Sequence, residues 1–356
     1  MPEPLKALAA ALGFDECRIA SATRAAHADT FQQWLADGCH GDMSWLARDP
    51  QRRCDPREVL PGCRSVICLA LNYYPGASPF PPGAAGGYRI ARYAWNNDYH
   101  GLIEKKLTAL DAAMRERGGV QRCYVDTGPV LERDFASSAG LGWNGKSTLQ
   151  IHRRLGTWFL LAEILTTLDL PPDPPITDHC GNCTRCISAC PTQAITAPHR
   201  VDARRCLAYL SIEHKGPIPE DFRRAMGGRI YGCDDCLVAC PWNRFAQVSA
   251  ELTFHARADI FDYRLRDFLT LDAAGFRLLF AGSPIARLKR PRFLRNVCVA
   301  LGNTGGPEDL SALRCAAMDP EPLIAEHAAW AIVQLQGSEL SDRPQKHHAV
   351  EQVQFP

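Results

Sequence analysis

The spacing of hydrophobic and polar positions divides the chain into three stretches. In the first, up to residue 168, apolar residues at helical spacing, such as Leu5, Leu8 and Leu12, alternate with short apolar runs such as residues 65–71. Short apolar runs between turn residues are typical of buried strands, and the wider spacing is typical of amphipathic helices. We therefore expect helices packed on a sheet, with a strand order that the pattern leaves open.

The individual elements of this stretch follow from the same pattern and from its turn residues. A loop rich in proline and glycine at 74–87 is too long for a simple connection, so we expect it to border a site. The predicted strands are 17–20, 65–71, 122–126, a run near 149 and 157–165, and the predicted helices are 5–12, 29–38, 41–46, 99–117 and 130–139.

The second and third stretches differ from the first in composition. A proline-rich linker at 170–175 leads into a cysteine-rich segment with helical patterns at 202–213 and 219–226. Beyond about residue 250, two similar amphipathic stretches, 293–303 and 323–335, are joined by a shorter helix at 309–318, which indicates a HEAT-like repeat. The predicted fold class is α+β, with domains at 1–168, 169–248 and 249–340 and a frayed tail at 341–356.

Composition and charge narrow the class of protein. The 356 residues are 46% hydrophobic, which supports buried cores, and the net charge of +1 neither requires nor excludes a nucleic-acid partner. No apolar run approaches the ~20 residues of a transmembrane helix, and the first twelve residues resemble an amphipathic helix, not a signal peptide. We expect a cytoplasmic monomer that does not associate with membranes.

Eight of the sixteen cysteines lie in one segment with regular spacing. The first run is C-x2-C-x2-C-x3-C-P, and a second run of three cysteines also ends in Cys-Pro. In two-cluster ferredoxins, three thiolates of such a run bind one 4Fe-4S cluster and the fourth binds the other cluster. The predicted ligands are Cys180, Cys183, Cys186 and Cys240 for the first cluster, and Cys190, Cys206, Cys233 and Cys236 for the second.

Two other uses of these thiols are less favoured. Pairs of cysteines two residues apart also bind structural zinc, but a compact run that ends twice in Cys-Pro fits cluster binding better. Disulfides require an oxidising compartment, which the absence of a signal sequence argues against. The other eight cysteines lie in apolar contexts and have no predicted chemistry.

The domains on either side of the cysteines indicate more than electron transfer. No Rossmann fingerprint, P-loop or zinc-protease motif is present, and the glycine-rich segment 140–146 is more typical of a tight turn than of a phosphate site. An electron-delivery module without a substrate of its own would need only the cysteine segment. We therefore expect a catalytic centre, although a module without a substrate stays open as an alternative.

The chain resembles the epoxyqueuosine reductase family over nearly its whole length. This family is cobalamin-dependent, carries two 4Fe-4S clusters and removes the epoxide oxygen of epoxyqueuosine in the tRNA anticodon, the last step of queuosine synthesis. Reductive dehalogenases resemble the first two domains more distantly, so a corrinoid reductase of a small halogenated or epoxide substrate is the alternative enzyme. The segments that carry the resemblance are 124–133, 139–146, the cysteine runs, 201–206, 229–243 and the repeat at 293–303.

The resemblance implies that the first domain is an α/β domain that binds cobalamin, which the nearer cluster reduces. Asp126 matches the proton donor of the family. To stay protonated near neutral pH, its carboxyl group must be buried beside the corrin and away from cations. From the residues alone, Asp126 would instead be the N-cap of the following helix.

Further site residues are implied by the resemblance or by their charge. The expected cobalamin contacts are Arg53, Ala91, Asp126, Gln150, His152 and Ser211. Five cations without an acid occur between residues 287 and 295, and such a cluster is typical of a surface that binds phosphates. The expected partners are an external electron donor and a tRNA bearing epoxyqueuosine, with tRNA contacts at Lys215, Arg223, Arg224, Arg287, Lys289, Arg290, Arg292 and Arg295.

Overall fold

The computed structural model describes residues 2–76, 87–254 and 256–341. Most of the predicted loop at 74–87 and nearly all of the predicted tail at 341–356 lie outside the described residues. The strands are β1 (Glu16–Ser21), β2 (Ser65–Asn72), β3 (Arg89–Ile90), β4 (Gln121–Tyr124), β5 (Trp143–Asn144), β6 (Gln150–Ile151), β7 (Phe159–Thr166), β8 (Ile195–Ala197), β9 (Arg200–Val201) and β10 (Arg229–Tyr231).

The helices alternate with these strands and then dominate the C-terminal part, so the fold mixes helix and sheet as the α+β class requires. Short 3-10 turns occur at Arg92–Ala94, Ala203–Arg205, Pro241–Phe245, Leu252–Phe254, Pro284–Leu288 and Pro307–Asp309. The α-helices are α1 (Pro2–Ala11), α2 (Ala28–Ala36), α3 (Ser44–Ala47), α4 (Pro50–Cys54), α5 (Pro56–Val59), α6 (Tyr99–Arg115), α7 (Glu132–Ser138), α8 (Arg185–Ser188), α9 (Leu207–Ile212), α10 (Glu220–Met226), α11 (Asp235–Val238), α12 (Ala258–Phe261), α13 (Leu265–Phe268), α14 (Ala273–Leu279), α15 (Lys289–Thr304), α16 (Leu310–Ala316) and α17 (Pro322–Ser341).

A four-stranded sheet in the order β1-β2-β7-β4 forms the centre of the N-terminal part. Every neighbouring pair in this sheet is antiparallel. Both faces of β2 are covered, because its side chains alternate between the two faces and every one of them is buried. Ile67 and Leu69 face a core shared with α1 and α6, whereas Val66 and Cys68 face a core shared with α7.

Helix boundaries follow the expected apolar spacing more closely than the expected caps. The buried residues of α6 include Ile103, Leu107 and Met114 at helical spacing, and Asp98 caps the helix by accepting a hydrogen bond from the backbone N–H of His100. Helix α2 begins at Ala28 and ends at Ala36, so the predicted helix at 29–38 began one residue late and ended two residues late.

The C-terminal helices pack on one another and on the cysteine segment. Helix α15 crosses α17 at Gly302, where a Cβ atom would lie only 2.6 Å from the Trp330 ring. The amide of Asn296 on α15 donates hydrogen bonds to the backbone carbonyls of Ser211 and Ile230, which ties α15 to the cysteine segment. No helix in the described ranges has the length and apolarity needed to cross a bilayer.

Candidate active site and the two cysteine groups

The eight predicted ligands form two groups of four thiols. The Cys240 thiol interacts electrostatically with those of Cys180, Cys183 and Cys186, and we call these four residues the outer group. The Cys236 thiol interacts with those of Cys190, Cys206 and Cys233, and we call these four the inner group. These are the same sets of four that the spacing assigns to the two clusters.

Burial makes six of the eight thiols unfavourable as free thiolates. Desolvation is the main cause that raises the pKa of Cys240 to about 11 and that of Cys233 to about 12. Thiolates at these positions therefore need a bound metal to compensate the lost hydration. Within residues 2–76, 87–254 and 256–341, no three His, Cys, Asp or Glu side chains are arranged so that they could hold a single metal ion. The thiols of each group are therefore neighbours, but they do not form a site for one ion.

A cavity of about 470 Å³ lies between the sheet and the inner group. All four inner thiols line it, whereas the four outer thiols are not part of its wall. Two small residues, Ala91 and Gly232, pack closely in the wall, because a Cβ atom on Gly232 would lie 2.6 Å from the Cβ atom of Ala91. The remaining wall includes Tyr99, Asp126 and Arg287.

Asp126 follows β4 and projects its carboxylate into this cavity. Its backbone has a positive φ of 59°, a conformation that Asp tolerates better than most residues. The Tyr99 hydroxyl donates a 2.7 Å hydrogen bond to Asp126 Oδ2, and His100 Nε2 lies 3.9 Å from the same oxygen. A hydrogen bond to Asp98 is the main cause that raises the pKa of His100.

One expectation about Asp126 is wrong and the other stays a prediction. Asp126 is not a helix cap, because α7 begins at Glu132 and Leu131 occupies the N-cap position. Its side chain is 56% exposed and lies beside His100, whose pKa is raised. Burial of the carboxyl group beside the corrin concerns the protein with its cofactor bound, so that expectation stays a prediction.

A pair of carboxyl groups that the sequence analysis missed lies close to Asp126. Glu163 in β7 is fully buried, and Glu132 at the start of α7 lines the cavity. Burial, and then the charge of Asp126, raise the pKa of Glu132 to about 7. Burial and the charge of Glu132 raise the pKa of Glu163 well above its usual value. The pair therefore holds at least one proton near neutral pH.

Some carboxyl oxygens of this pair have no hydrogen-bond partner within the part of the chain that the structure describes. Both carboxyl oxygens of Glu163 lack a hydrogen-bond partner in the described residues, although the Glu132 and Glu163 side chains interact. A shared proton reconciles these observations, since it lets one carboxyl group donate to the other. The sequence signal was the single acid in the apolar run 157–165.

Of the five predicted cofactor contacts besides Asp126, two line the cavity, one contacts a neighbouring loop and two have other partners. Ala91 and Gln150 line the cavity, and the Gln150 amide is held by Ser137. Arg53 is directed at the loop after Asp126, where its guanidinium donates a 3.2 Å hydrogen bond to the carbonyl of Gly128.

His152 and Ser211 have structural partners, which corrects their assignment as cofactor contacts. His152 Nδ1 accepts hydrogen bonds from the backbone N–H groups of Arg154 and Leu155, each at 3.1 Å. The Ser211 hydroxyl is fully buried, donates to the Leu207 carbonyl and accepts from the Gly232 N–H. His152 therefore stabilises the turn after β6, Ser211 ties helix α9 to Gly232, and neither side chain lines the cavity.

The cluster of cations at 287–295 is not one continuous surface. Arg295 is fully buried and donates hydrogen bonds to the backbone carbonyls of Leu210, His214 and Gly216, so its assignment as a tRNA contact is wrong. Burial lowers the pKa of its guanidinium to about 9. Its sequence neighbours gave no sign of this burial, because the partners come from the cysteine segment.

Three further predicted tRNA contacts also have internal partners. Arg290 forms an ion pair with Asp319 at 2.5 Å, and Arg292 donates to the carbonyls of Leu288, Ile212 and Arg287. Reversing these charges would therefore disturb packing as well as any phosphate contact. Arg223 is buried and bonded to Ile218 and Glu326.

The other four predicted tRNA contacts lie at the surface. Arg224 is exposed and bonded to Gln334, and Lys215 and Lys289 are exposed. Arg287 lines the cavity and pairs with Glu213 at 2.7 Å. The basic surface beside the cavity is therefore smaller than the sequence suggested.

Family models match two parts of this chain. The 4Fe-4S double cluster binding domain matches residues 179–243, which contain both cysteine groups. The model described as epoxyqueuosine reductase QueG, DUF1730, matches residues 53–127, which end just after Asp126.

Curated relatives match nearly the full length. An epoxyqueuosine reductase of Xanthomonas campestris pv. campestris is 45% identical over 338 residues, which cover 93% of this chain and 95% of the relative. The epoxyqueuosine reductase of Escherichia coli K12 is 40% identical over 328 residues, covering 91% of this chain and 86% of the relative.

Solved structures share the fold over the same extent. An epoxyqueuosine reductase bound to a stem loop of tRNA-Tyr modified with epoxyqueuosine matches with a TM-score of 0.88 and 28% identity, covering 97% of this chain and 95% of that one. A Bacillus subtilis epoxyqueuosine reductase, in which a catalytic Asp loop is swung out of the active site, matches with a TM-score of 0.84 and 27% identity, covering 98% and 95%.

Proposed function

This chain belongs to the epoxyqueuosine reductase family, and we propose how its own residues reduce epoxyqueuosine in tRNA to queuosine. The reaction opens a strained epoxide and removes its oxygen as water, which consumes two electrons and two protons and leaves a carbon–carbon double bond. One observation carries the proposal: a carboxylate and four cluster-binding thiols face the same cavity, so that protons and electrons can reach one substrate.

The outer and inner groups each bind one 4Fe-4S cluster. The match to a double-cluster domain and the grouping of the thiols four by four support this assignment. The indole N–H of Trp143 is buried without a partner of ideal geometry but interacts with the Cys180 thiol, as a donor to a cluster sulfur would. Such donors tune the reduction potential of a cluster.

The cavity binds the cobalamin that the family resemblance implies. The small residues Ala91 and Gly232 leave the wall without a protruding side chain, which suits a large ring system, and Gln150 also lines the cavity. When bound, cobalamin supplies the strongly reducing cobalt centre that attacks the epoxide. The corrin would rest on Ala91, while inner-group residues separate it from the outer cluster.

Asp126 donates a proton to the departing epoxide oxygen. Its carboxyl group is exposed to the cavity and is oriented by Tyr99, so substrate can reach it directly. Substrate and cofactor that cover the carboxyl group would remove the water that stabilises its charged form, which favours the protonated acid. The catalytic Asp loop of the Bacillus subtilis relative supports a mobile acid at this position.

The tRNA anticodon enters beside Arg287 and Lys289. Arg287 lines the cavity and would contact a phosphate, and Lys289 is an exposed cation two residues further along the chain. The exposed Lys215 and Arg224 are further candidates for phosphate contacts. The structure of a relative with a modified tRNA stem loop supports this substrate. The domain borders, the HEAT-like character of α15–α17, the cytoplasmic location and the monomeric state remain predictions.

An anaerobic reconstitution tests the proposed function. Protein purified without oxygen is loaded with iron, sulfide and cobalamin and given epoxyqueuosine-containing tRNA with dithionite as reductant. We expect about eight iron atoms per chain, retention of the corrinoid and conversion of the modified base to queuosine. Full loading without any conversion would contradict the proposed function.

A further inference from the structure

The outer group lies away from the cavity, so its electrons must arrive across a different surface. The inner thiols line the cavity and the outer thiols do not. The outer thiols are nevertheless partly exposed to solvent. A reductant too large to enter the cavity would therefore approach the outer group more readily than the inner group, whose thiols face the cavity.

Aromatic side chains surround the outer group. The Trp143 and Trp242 rings meet edge to face with centroids 4.9 Å apart, and His179 lies 5.2 Å from Trp143. Phe245 lies 5.5 Å from Trp242 and is 42% exposed. On α11, beside this surface, Val238 is 55% exposed. Exposed apolar and aromatic groups of this kind are typical of protein interfaces.

Positive charges ring these aromatic residues. Lys146 donates to the carbonyl of Gly181, next to Cys180, and Arg153 lies 2.7 Å from His179. The Arg244 guanidinium lies 4.5 Å from the centre of the Phe245 ring. Together with Arg185, the residue before Cys186, four cations surround the outer group. We call this surface, formed by Lys146, Arg153, Arg185, Arg244 and the aromatic side chains of His179, Trp242 and Phe245, the outer face.

Few acids offset this charge. Asp178 is the acid next to the first outer cysteine, and its carboxylate accepts a hydrogen bond from the backbone N–H of Cys180. The whole chain has a net charge of only +1, so the outer face is more basic than the average surface. A basic rim around an apolar centre favours an acidic protein partner and accelerates its association.

We propose that the outer face docks an acidic one-electron carrier protein, which reduces the outer cluster. This inference rests on the proposed function, because it requires the outer group to hold a cluster. Two reduced carriers lose one electron each per turnover. The epoxide gains these two electrons and two protons, forming an alkene and water, so electrons and atoms balance.

A nucleic acid is the less favoured occupant of this face. The aromatic rings of Trp143, Trp242 and His179 pack against one another, and Trp143 is 3% exposed, so they do not offer open platforms for stacked bases. The cations that adjoin the cavity, such as Arg287, lie on the side where the substrate must enter.

Charge reversal on the outer face tests the proposal in the holoenzyme. The double variant Arg153→Glu with Arg244→Glu changes two exposed side chains and no cluster ligand. Its matched control is Arg277→Glu with Arg314→Glu, which makes the same change in net charge at exposed positions of α14 and α16. The probe is a reduced flavodoxin of acidic isoelectric point, and the readout is the rate at which the cluster absorbance bleaches in anaerobic stopped flow.

With flavodoxin at low salt, we expect the cluster absorbance of the double variant to bleach more slowly than that of the parent, by about tenfold or more. The control variant should bleach at the rate of the parent. The parent rate should fall as salt is added. The milder variants Arg153→Gln and Arg244→Gln should each show a smaller loss, which distinguishes docking from misfolding. Equal rates for the double variant and the parent at low salt would overturn the proposal.

Two controls separate this proposal from the proposed function. Dithionite at high ionic strength should reduce the clusters of the double variant and the parent at the same rate, and both should then convert epoxyqueuosine-containing tRNA. Loss of tRNA affinity in the double variant, with flavodoxin reduction retained, would assign the outer face to nucleic acid and overturn the docking proposal. Failure of conversion in the parent with dithionite would instead contradict the proposed function.

Discussion

The outer and inner cysteine groups share the same chemistry but have different surroundings. The outer group combines the run Cys180, Cys183 and Cys186 with the distant Cys240, whereas the inner group combines Cys233 and Cys236 with Cys190 and Cys206; a short helix, α8 or α11, carries one thiol of each. The inner group faces a cavity with Asp126, whereas the outer group faces aromatic and basic side chains. Under our proposals, the neighbouring side chains, and not the ligands, distinguish the group where electrons enter from the group where they are used.

Removing one ligand from each group gives the sharpest test of this difference. Cys236→Ser in the inner group and Cys183→Ser in the outer group should each lower bound iron from about eight to about four atoms per chain. The inner variant should lose turnover with every reductant, because no cluster remains at the cavity. The outer variant should lose turnover with a carrier protein but keep part of it with dithionite.

Iron analysis and single-turnover assays check this prediction. Equal residual activity of the two variants with dithionite would show that the groups are interchangeable and would break the comparison. Thermal unfolding curves on both proteins serve as the control for general misfolding.

Replacing the acid near each group should change turnover by amounts that differ almost as strongly. Asp126→Asn keeps the shape of the side chain but removes the acid, so we expect turnover to fall by about 10²–10⁴-fold with both clusters and the corrinoid retained. Asp178→Asn beside the outer group is the matched control and should stay within about twofold of the parent, since it lies outside the cavity wall. Rates of queuosine formation decide between these outcomes; an active Asp126→Asn variant would end the assignment of this residue as the proton donor.

The buried carboxyl pair makes stability on the cavity side depend on pH. The folded pKa values of Glu132 and Glu163 are raised, so the folded chain binds more protons than the unfolded chain between about pH 4.5 and 7. The free energy of unfolding must therefore fall as pH rises through this window. Glu163→Gln removes one of the two carboxyl groups and should make that fall smaller.

Urea unfolding of the holoenzyme at pH 5 and pH 8 measures this effect. Glu104→Gln, at an exposed position of α6, is the control and should leave the pH dependence unchanged. The same slope in the parent and in Glu163→Gln would show that the pair holds no extra proton.

The smallest expected effect is on tRNA affinity, and it distinguishes binding at the cavity side from binding at the outer face. Lys289→Ala removes one exposed cation beside the cavity and should weaken tRNA binding a few-fold, with the salt dependence of log K reduced by about 1. Arg185→Ala on the outer face should leave tRNA affinity unchanged. Binding measured over a range of salt concentrations checks both, and a larger loss for Arg185→Ala would reverse the roles of the two faces.

Several features of the fold were predictable because they depend on short-range patterns. The strand at residues 65–71 and the helix at 99–117 agree with β2 and α6 to within two residues, since an apolar run and a regular apolar stripe each specify one local conformation. The order of the sheet was not predictable. Antiparallel pairing of β2 with β7 joins segments about ninety residues apart, and no local pattern encodes that pairing.

The candidate site shows the same division. Cysteine spacing by itself determined which thiols belong together, because metal ligation restricts the few residues between ligands and the chemistry of a thiolate does not depend on the rest of the fold. The family resemblance, which is also a property of sequence, singled out Asp126. Neither indicated that a buried Glu132–Glu163 pair lies beside it.

Only the tertiary structure decided what each polar side chain faces. Arg295, Ser211 and His152 look like surface or site residues in the sequence, yet each forms hydrogen bonds with backbone groups around it. Arg287 lines the cavity and pairs with Glu213, whereas Lys289 is exposed. The sequence specifies which residues carry a charge or a hydroxyl group. Whether that group is accessible depends on segments that are distant in the chain and become neighbours only on folding.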